Sequence, residues 1–229
     1  MQSLKNNIAI ERKDFVMKLN LPNKLTLARM IMVPFLMVFI TFDFGLGIYS
    51  RLIAAAFFAA ASATDFVDGY IARRDNLVTN FGKFMDPLAD KLMVFVALIS
   101  LCYVTGRDTT YYYSDLFDKV VRDQAETVYG VCLLAVTVIV IFRELAVTSM
   151  RMVVTNTDGV VIAANWLGKV KTCVQITFIL TALIEPVFQY DFLGGHVASY
   201  ITMIAMAVMT VWSGIAYFKG YWKYINPSV

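Results

Sequence analysis

The chain has 229 residues, about one domain's length, of which 59% are hydrophobic and 16% charged, with a mean hydropathy of +0.65. So apolar a balance excludes an ordinary soluble globule and points to a membrane protein, while a formal net charge of +3 gives no sign of a nucleic-acid partner. Cys102, Cys132 and Cys173 are odd in number and lie in apolar stretches, which argues for packed thiols and against a disulfide framework.

Residues 1–22 intersperse Lys5, Glu11, Arg12, Lys13, Asp14 and Lys18 with Ile8, Ile10, Phe15, Val16 and Leu19. This pattern predicts an N-terminal interfacial amphipathic helix, although the apolar stripe is short enough to suit a partly ordered tail. The first apolar run continues into a full span without a small-residue cleavage site, so no signal peptide is expected. Residues 23–229 read as a single all-α membrane domain of six transmembrane helices.

The first span covers about 25–42 and is entered through Pro22, Asn23, Lys24, Leu25 and Thr26. Asn23, Thr26 and Arg29 recur every third position and form a polar edge, with snorkelling to the interface as the plain alternative for Arg29. A loop at 43–50 carries Gly45 and Gly47. The second span, about 52–72, is rich in alanine (Ala54, Ala55, Ala56, Ala59, Ala60, Ala61, Ala63), which suits close helix contact in lipid. A connecting loop is expected at 73–83, and Asp90 leads into the third span at 92–104.

Residues 105–127 form the longest polar insertion, with Tyr111, Tyr112 and Tyr113 placed as an interfacial aromatic belt. The fourth span is expected at 128–147, a turn at 155–159, the fifth span at 170–188 and the sixth at 197–218. His196, the single histidine, falls in a short loop and is assigned no role. Of the 20 lysines and arginines, Arg51, Arg107, Lys119 and Arg122 alone fall on the side opposite the N-terminus. The positive-inside rule therefore places both termini, and everything at their end of the bundle, in the cytoplasm.

The most informative stretch is 65–90, DFVDGYIARRDNLVTNFGKFMDPLAD, which sets four aspartates between two apolar runs. On helices, Asp65 and Asp68 share one face, and so do Asp86 and Asp90. Gly69 and Ala72 lie on the side of the first pair and leave it shallow. At ~4 Å and an effective dielectric of about 20, each like-charged pair repels by roughly 4 kcal/mol, so cations or protons must compensate. Hard oxygen donors with no Cys or His nearby favour Mg²⁺ or Mn²⁺ over Zn²⁺. Two such ions ~3.5–4 Å apart are suited to clamping a phosphoryl group during in-line displacement. The alternative is structural: the aspartates would cap helices, as Asp86 before Pro87 suggests, or pair with Arg73, Arg74, Lys83 and Lys91.

Asp65, Asp68, Gly69, Ala72, Arg73, Gly82, Asp86 and Asp90 fit D-x2-D-G-x2-A-R-x8-G-x3-D-x3-D at every fixed position. With this signature the chain resembles the CDP-alcohol phosphotransferase family. The resemblance implies that family's fold, a homodimer, and two divalent cations held by Asp65, Asp68, Asp86 and Asp90. It further implies that Asp90 is the catalytic base and that Asn23, Thr26, Gly69, Ala72, Arg73, Thr79 and Gly82 bind a CDP-linked lipid, CDP-diacylglycerol. The entrance Pro22, Asn23 and Thr26 matches the family's P-N-x-x-T.

Arg143, Arg151, Lys169 and Lys171 gather at the same end of the bundle, and Arg143 lies in apolar sequence, where an unpartnered arginine is expensive. Glu144 and lipid headgroups could neutralise them; alternatively they form an anion pocket for a phosphorylated acceptor, with arginine offering bidentate contacts. The segments 22–29, 81–92, 141–151 and 168–172 resemble the family's bacterial branch that uses glycerol 3-phosphate, which implies that acceptor. Residues 105–127 are longer than that branch leads one to expect. Inositol phosphate or serine as acceptor, or an ion-coupled transporter built on intramembrane carboxylates, are the competing expectations.

Overall fold

A backbone surrounded by lipid must satisfy its own hydrogen bonds, and each apolar run of the sequence accordingly becomes one helix. The computed structural model describes residues 21–42, 44–74, 80–105, 116–158, 166–188 and 196–225; the side chains of 65–74, 80–84, 116–126, 155–158 and a few helix-end positions lie outside the description. The helices are α1 (Leu21–Thr41), α2 (Ile48–Arg74), α3 (Asn80–Thr105), α4 (Leu116–Asp158), α5 (Trp166–Phe188) and α6 (Val197–Ile225), and the described residues include no strand. The N-terminal amphipathic helix expected before residue 21 lies outside the described residues.

Among the described residues, five stretches are long and apolar enough to cross a membrane: Asn23–Thr41, Met85–Thr105, Thr127–Val154, Trp166–Val187 and Val197–Trp222. The sixth helix, α2, is 27 residues long but ends in the charged stretch that holds Asp65, Asp68, Arg73 and Arg74. The expected six-helix order therefore holds, with five helices of membrane-spanning composition among the described residues. Helix α1 packs on α2 and α3, α2 on α5, α3 on α4, and α6 on both α4 and α5.

Several boundaries differ from the sequence expectation. Helix α4 has 43 residues, starting inside the polar insertion and running through the stretch expected to turn. No proline interrupts it, and good helix formers such as Lys119, Arg122, Gln124 and Glu126 carry the helix beyond the apolar segment. Helix α3 begins at Asn80, which places Pro87 inside the helix. Asp86 is therefore an interior residue one turn before Asp90, and not an N-cap. Pro87 forgoes one ladder hydrogen bond there.

The α1–α2 turn is left-handed over Phe44 (φ 48°), Gly45 (φ 72°) and Gly47 (φ 55°). Glycine adopts that conformation freely, whereas Phe44 needs outside support. Its ring packs on Phe39 and Phe42, with centroids 5.9 and 6.1 Å away, and Phe39 stacks in turn on Phe57 of α2. The core uses Ala54, Ala55 and Ala61 of α2 to let Leu36, Phe58, Leu98, Phe178 and Ile179 close up. Ile31, Phe35, Val131, Phe142, Ile201 and Ile204 point outward, as a lipid-facing surface requires.

At the end of the bundle away from the aspartates, buried Glu185 of α5 caps α6, accepting backbone N–H bonds from Ala198 and Ser199 at 2.9 Å each and a third bond from the Ser199 hydroxyl. A carboxylate at a helix N-terminus satisfies orphan donors and complements the dipole. Nearby, His196 stacks on buried Tyr129 at 4.5 Å, so the histidine assigned no role from sequence serves packing. Replacing Glu185 by Ala is expected to destabilise the protein by about 1–3 kcal/mol, because it strands buried donors. Thermal unfolding in detergent should show a lowered midpoint for E185A and a smaller loss for E185Q; an unshifted E185A would remove the cap's assigned weight.

Candidate functional site

The polar edge of α1 turns inward. Asn23, Thr26 and Arg29 are all buried, with Arg29 at 1% exposure, so it does not snorkel as the plain alternative had it. A three-residue spacing keeps these side chains on one helix face, and that face meets α3. The Thr26 hydroxyl donates to Asp86 Oδ1 at 2.5 Å, across 60 residues of sequence. One turn further on, Arg29 lines a narrow apolar crevice with Met32, Val33, Leu36, Phe57, Ala61 and Met93, between α1, α2 and α3.

Asp86 and Asp90 lie four residues apart on α3, both partly buried. Asp65 and Asp68 occupy the last turns of α2, and their side chains are outside the described residues, as are those of Gly69, Ala72, Arg73, Thr79 and Gly82. Among the described residues no group of three or more His, Cys, Asp or Glu is assembled. The described half of the quartet nevertheless fits a hard divalent cation, for it offers only carboxylate oxygens, and a hydroxyl from α1 orients one of them.

Lys91, next to Asp90, reaches from α3 to α4 and donates to the Thr148 hydroxyl, which itself donates to the Glu144 carbonyl at 2.7 Å. This bridge ties the aspartate helix to the cationic helices. On α4 and α5, Arg143 and Lys171 are buried and both donate to the same oxygen, Glu144 Oε1, with Arg143 Nη1 at 2.8 Å. Arg151 and Lys169 are exposed at the same end. The four cations expected to form one pocket thus divide into a buried pair locked on Glu144 and an exposed pair at the rim.

The Arg143 guanidinium is held on three sides. Its Nη1 is on Glu144, its face lies over the Tyr217 ring of α6 at 5.3 Å, and its Cγ passes the surface of Gly214. Its Nε and Nη2 atoms are buried without a hydrogen-bond partner among the described residues. Those two atoms form the side-on edge of the guanidinium, the fork that matches two oxygens of a phosphate or carboxylate. One carboxylate against two buried cations also leaves net positive charge there, which an anion would neutralise. Glu144 was legible in the sequence as a possible neutraliser and Lys91 as a possible partner of the aspartates, whereas Thr148 and Tyr217 carried no signal of their own.

A family model described as CDP-alcohol phosphatidyltransferase matches residues 19–212. The chain is 38% identical over 218 residues to the CDP-diacylglycerol–glycerol-3-phosphate 3-phosphatidyltransferase of Bacillus subtilis, covering 91% of this chain and 98% of that protein. It is 31% identical over 208 residues to the enzyme of the same name from Yersinia enterocolitica, covering 90% and 97%.

Removing Glu144 would leave two buried cations without their counter-charge, a loss of roughly 3–5 kcal/mol. E144A is therefore expected to unfold at markedly lower temperature in detergent. E144Q, which keeps an acceptor but not the charge, should fall between E144A and the parent; equal stability of all three would disprove the lock.

Proposed function

The chain belongs to the CDP-alcohol phosphatidyltransferase family, and on that premise we propose that it transfers the phosphatidyl group of CDP-diacylglycerol to glycerol 3-phosphate, giving phosphatidylglycerophosphate and CMP. The observation that carries the choice of a phosphorylated acceptor is the buried Nε/Nη2 edge of Arg143, at the end of the bundle that also holds Asp86 and Asp90. Serine brings no phosphate to such an edge. Inositol phosphate does, and the relatives' names favour glycerol 3-phosphate over it.

In this reading the lipid substrate enters sideways from the bilayer with its acyl chains in lipid. Asn23, Thr26, Gly69, Ala72, Arg73, Thr79 and Gly82 line the place of its cytidine and phosphates. Asp65, Asp68, Asp86 and Asp90 would hold two divalent cations, Mg²⁺ or Mn²⁺, which when bound neutralise the pyrophosphate and the departing CMP. The Thr26 hydroxyl, donating to Asp86 Oδ1, would fix the orientation of that carboxylate.

Arg143 and Lys171, with Arg151 and Lys169 at the rim, hold the acceptor's phosphate, which orients its 1-hydroxyl toward α3. Asp90 takes the hydroxyl proton as the oxygen attacks the β-phosphorus; the new P–O bond forms, the bond to the α-phosphate bridge breaks, and CMP leaves. In this reading the protein works as a homodimer in the cell membrane with its site at the cytoplasmic end, on the side where the water-soluble CMP and glycerol 3-phosphate are found.

Purified protein supplied with CDP-diacylglycerol, Mg²⁺ and one acceptor at a time should release CMP with glycerol 3-phosphate and not with serine or inositol phosphate. Release with serine alone would overturn the acceptor. D90N is expected to lower kcat by about 10²–10⁴-fold, the usual worth of a general base. A chelator should stop turnover and added Mg²⁺ restore it; full activity in the chelator would remove the cations from the scheme.

A further inference from the structure

Helix α6 contributes no residue to the aspartate signature, yet it supports the Arg143 side chain most closely. Tyr217 is buried, lies under the guanidinium at 5.3 Å, and is backed by the nearly parallel ring of buried Tyr221, with centroids 6.3 Å apart at 14°. Two glycines make the arrangement possible. A Cβ on Gly214 would sit 3.2 Å from Arg143 Cγ, so a side chain there would push the arginine stem aside by a few tenths of an ångström. A Cβ on Gly168 of α5 would sit 3.0 Å from the Tyr217 hydroxyl, so a side chain there would press on the end of the ring. Both distances are tighter than ordinary van der Waals contact, and each substitution would push on the residue that holds the fork in place.

From this we infer that Tyr217, seated by the glycine notches Gly168 and Gly214, is a positioning residue that presents the Nε/Nη2 edge of Arg143 to the acceptor's phosphate. The inference rests on the acceptor assignment above and extends it to α6. The chemistry is consistent: with Nη1 taken by Glu144 and one face taken by the ring, the guanidinium keeps a single edge for an anion. A planar cation on an aromatic face can tilt little, so the entropy of ordering it is lost on folding and not on binding. Tyr217 itself touches no reacting atom.

The test is steady-state kinetics on the full-length protein in mixed micelles, varying glycerol 3-phosphate and CDP-diacylglycerol in turn. Y217L should raise the KM for glycerol 3-phosphate roughly three- to thirtyfold, the range of one cation–π contact, with the KM for CDP-diacylglycerol unchanged. Y217F, which keeps the ring, should recover most of the loss. G214A displaces the Arg143 stem without touching the ring and should raise the same KM, giving the answer if Y217L does not fold. An unchanged acceptor KM in Y217L, or in G214A where Y217L fails to fold, overturns the inference, and so does an equal rise for both substrates. The parent enzyme in the same series separates the two failures. If it makes no CMP with glycerol 3-phosphate, the acceptor assignment falls and this inference with it; if it does and the variants match it, the role of Tyr217 alone falls.

Discussion

Glu144 takes hydrogen bonds from Arg143 and Lys171 on a single oxygen, in a part of the bundle where both cations are buried. Each of the three charges would be costly alone in that setting, and together they carry one positive charge in excess of neutral. Two consequences follow from the same arithmetic. A side-chain contact joins the start of α5 to the interior of α4, and the residual charge makes the site receptive to an anion. Stability and recognition here have one cause.

The contact reaches further through Thr148, whose hydroxyl accepts from Lys91 and donates to the Glu144 carbonyl. Lys91 follows Asp90 directly in the chain, so the cationic cluster and the aspartate helix are linked by one side chain. At its other flank the aspartate helix is met by Thr26 of α1. Two helices, α1 and α4, therefore register against the same stretch of α3, and a phosphoryl-transfer site needs that relation between its parts to be maintained to a fraction of an ångström.

Small residues govern the geometry throughout. Alanines of α2 let the core close, and Gly168 and Gly214 clear the space that Tyr217 and the Arg143 stem occupy. In lipid, apolar side chains gain little by preferring one another to acyl chains, so close approach of backbones and a few polar contacts decide which helices pair. The opposite end shows the same economy: one carboxylate, Glu185, caps α6 and joins it to α5.

How much could be known beforehand differs by residue. The helical membrane class, the order of the helices and the aspartate signature were all legible in the chain, because hydrophobic runs and short-range spacing are one-dimensional properties. Helix ends were less so: α4 continues through polar sequence and α3 begins before Asp86, since helix continuity depends on the backbone and not on the apolar pattern. Arg29 was ambiguous until its neighbours were known, and it is buried. That Thr26 meets Asp86, that Arg143 and Lys171 share Glu144 while Arg151 and Lys169 stay at the rim, and that Tyr217 lies under Arg143 are facts of tertiary packing. They join side chains dozens of residues apart, and only the way helices stack in space, which no local pattern encodes, could bring them together.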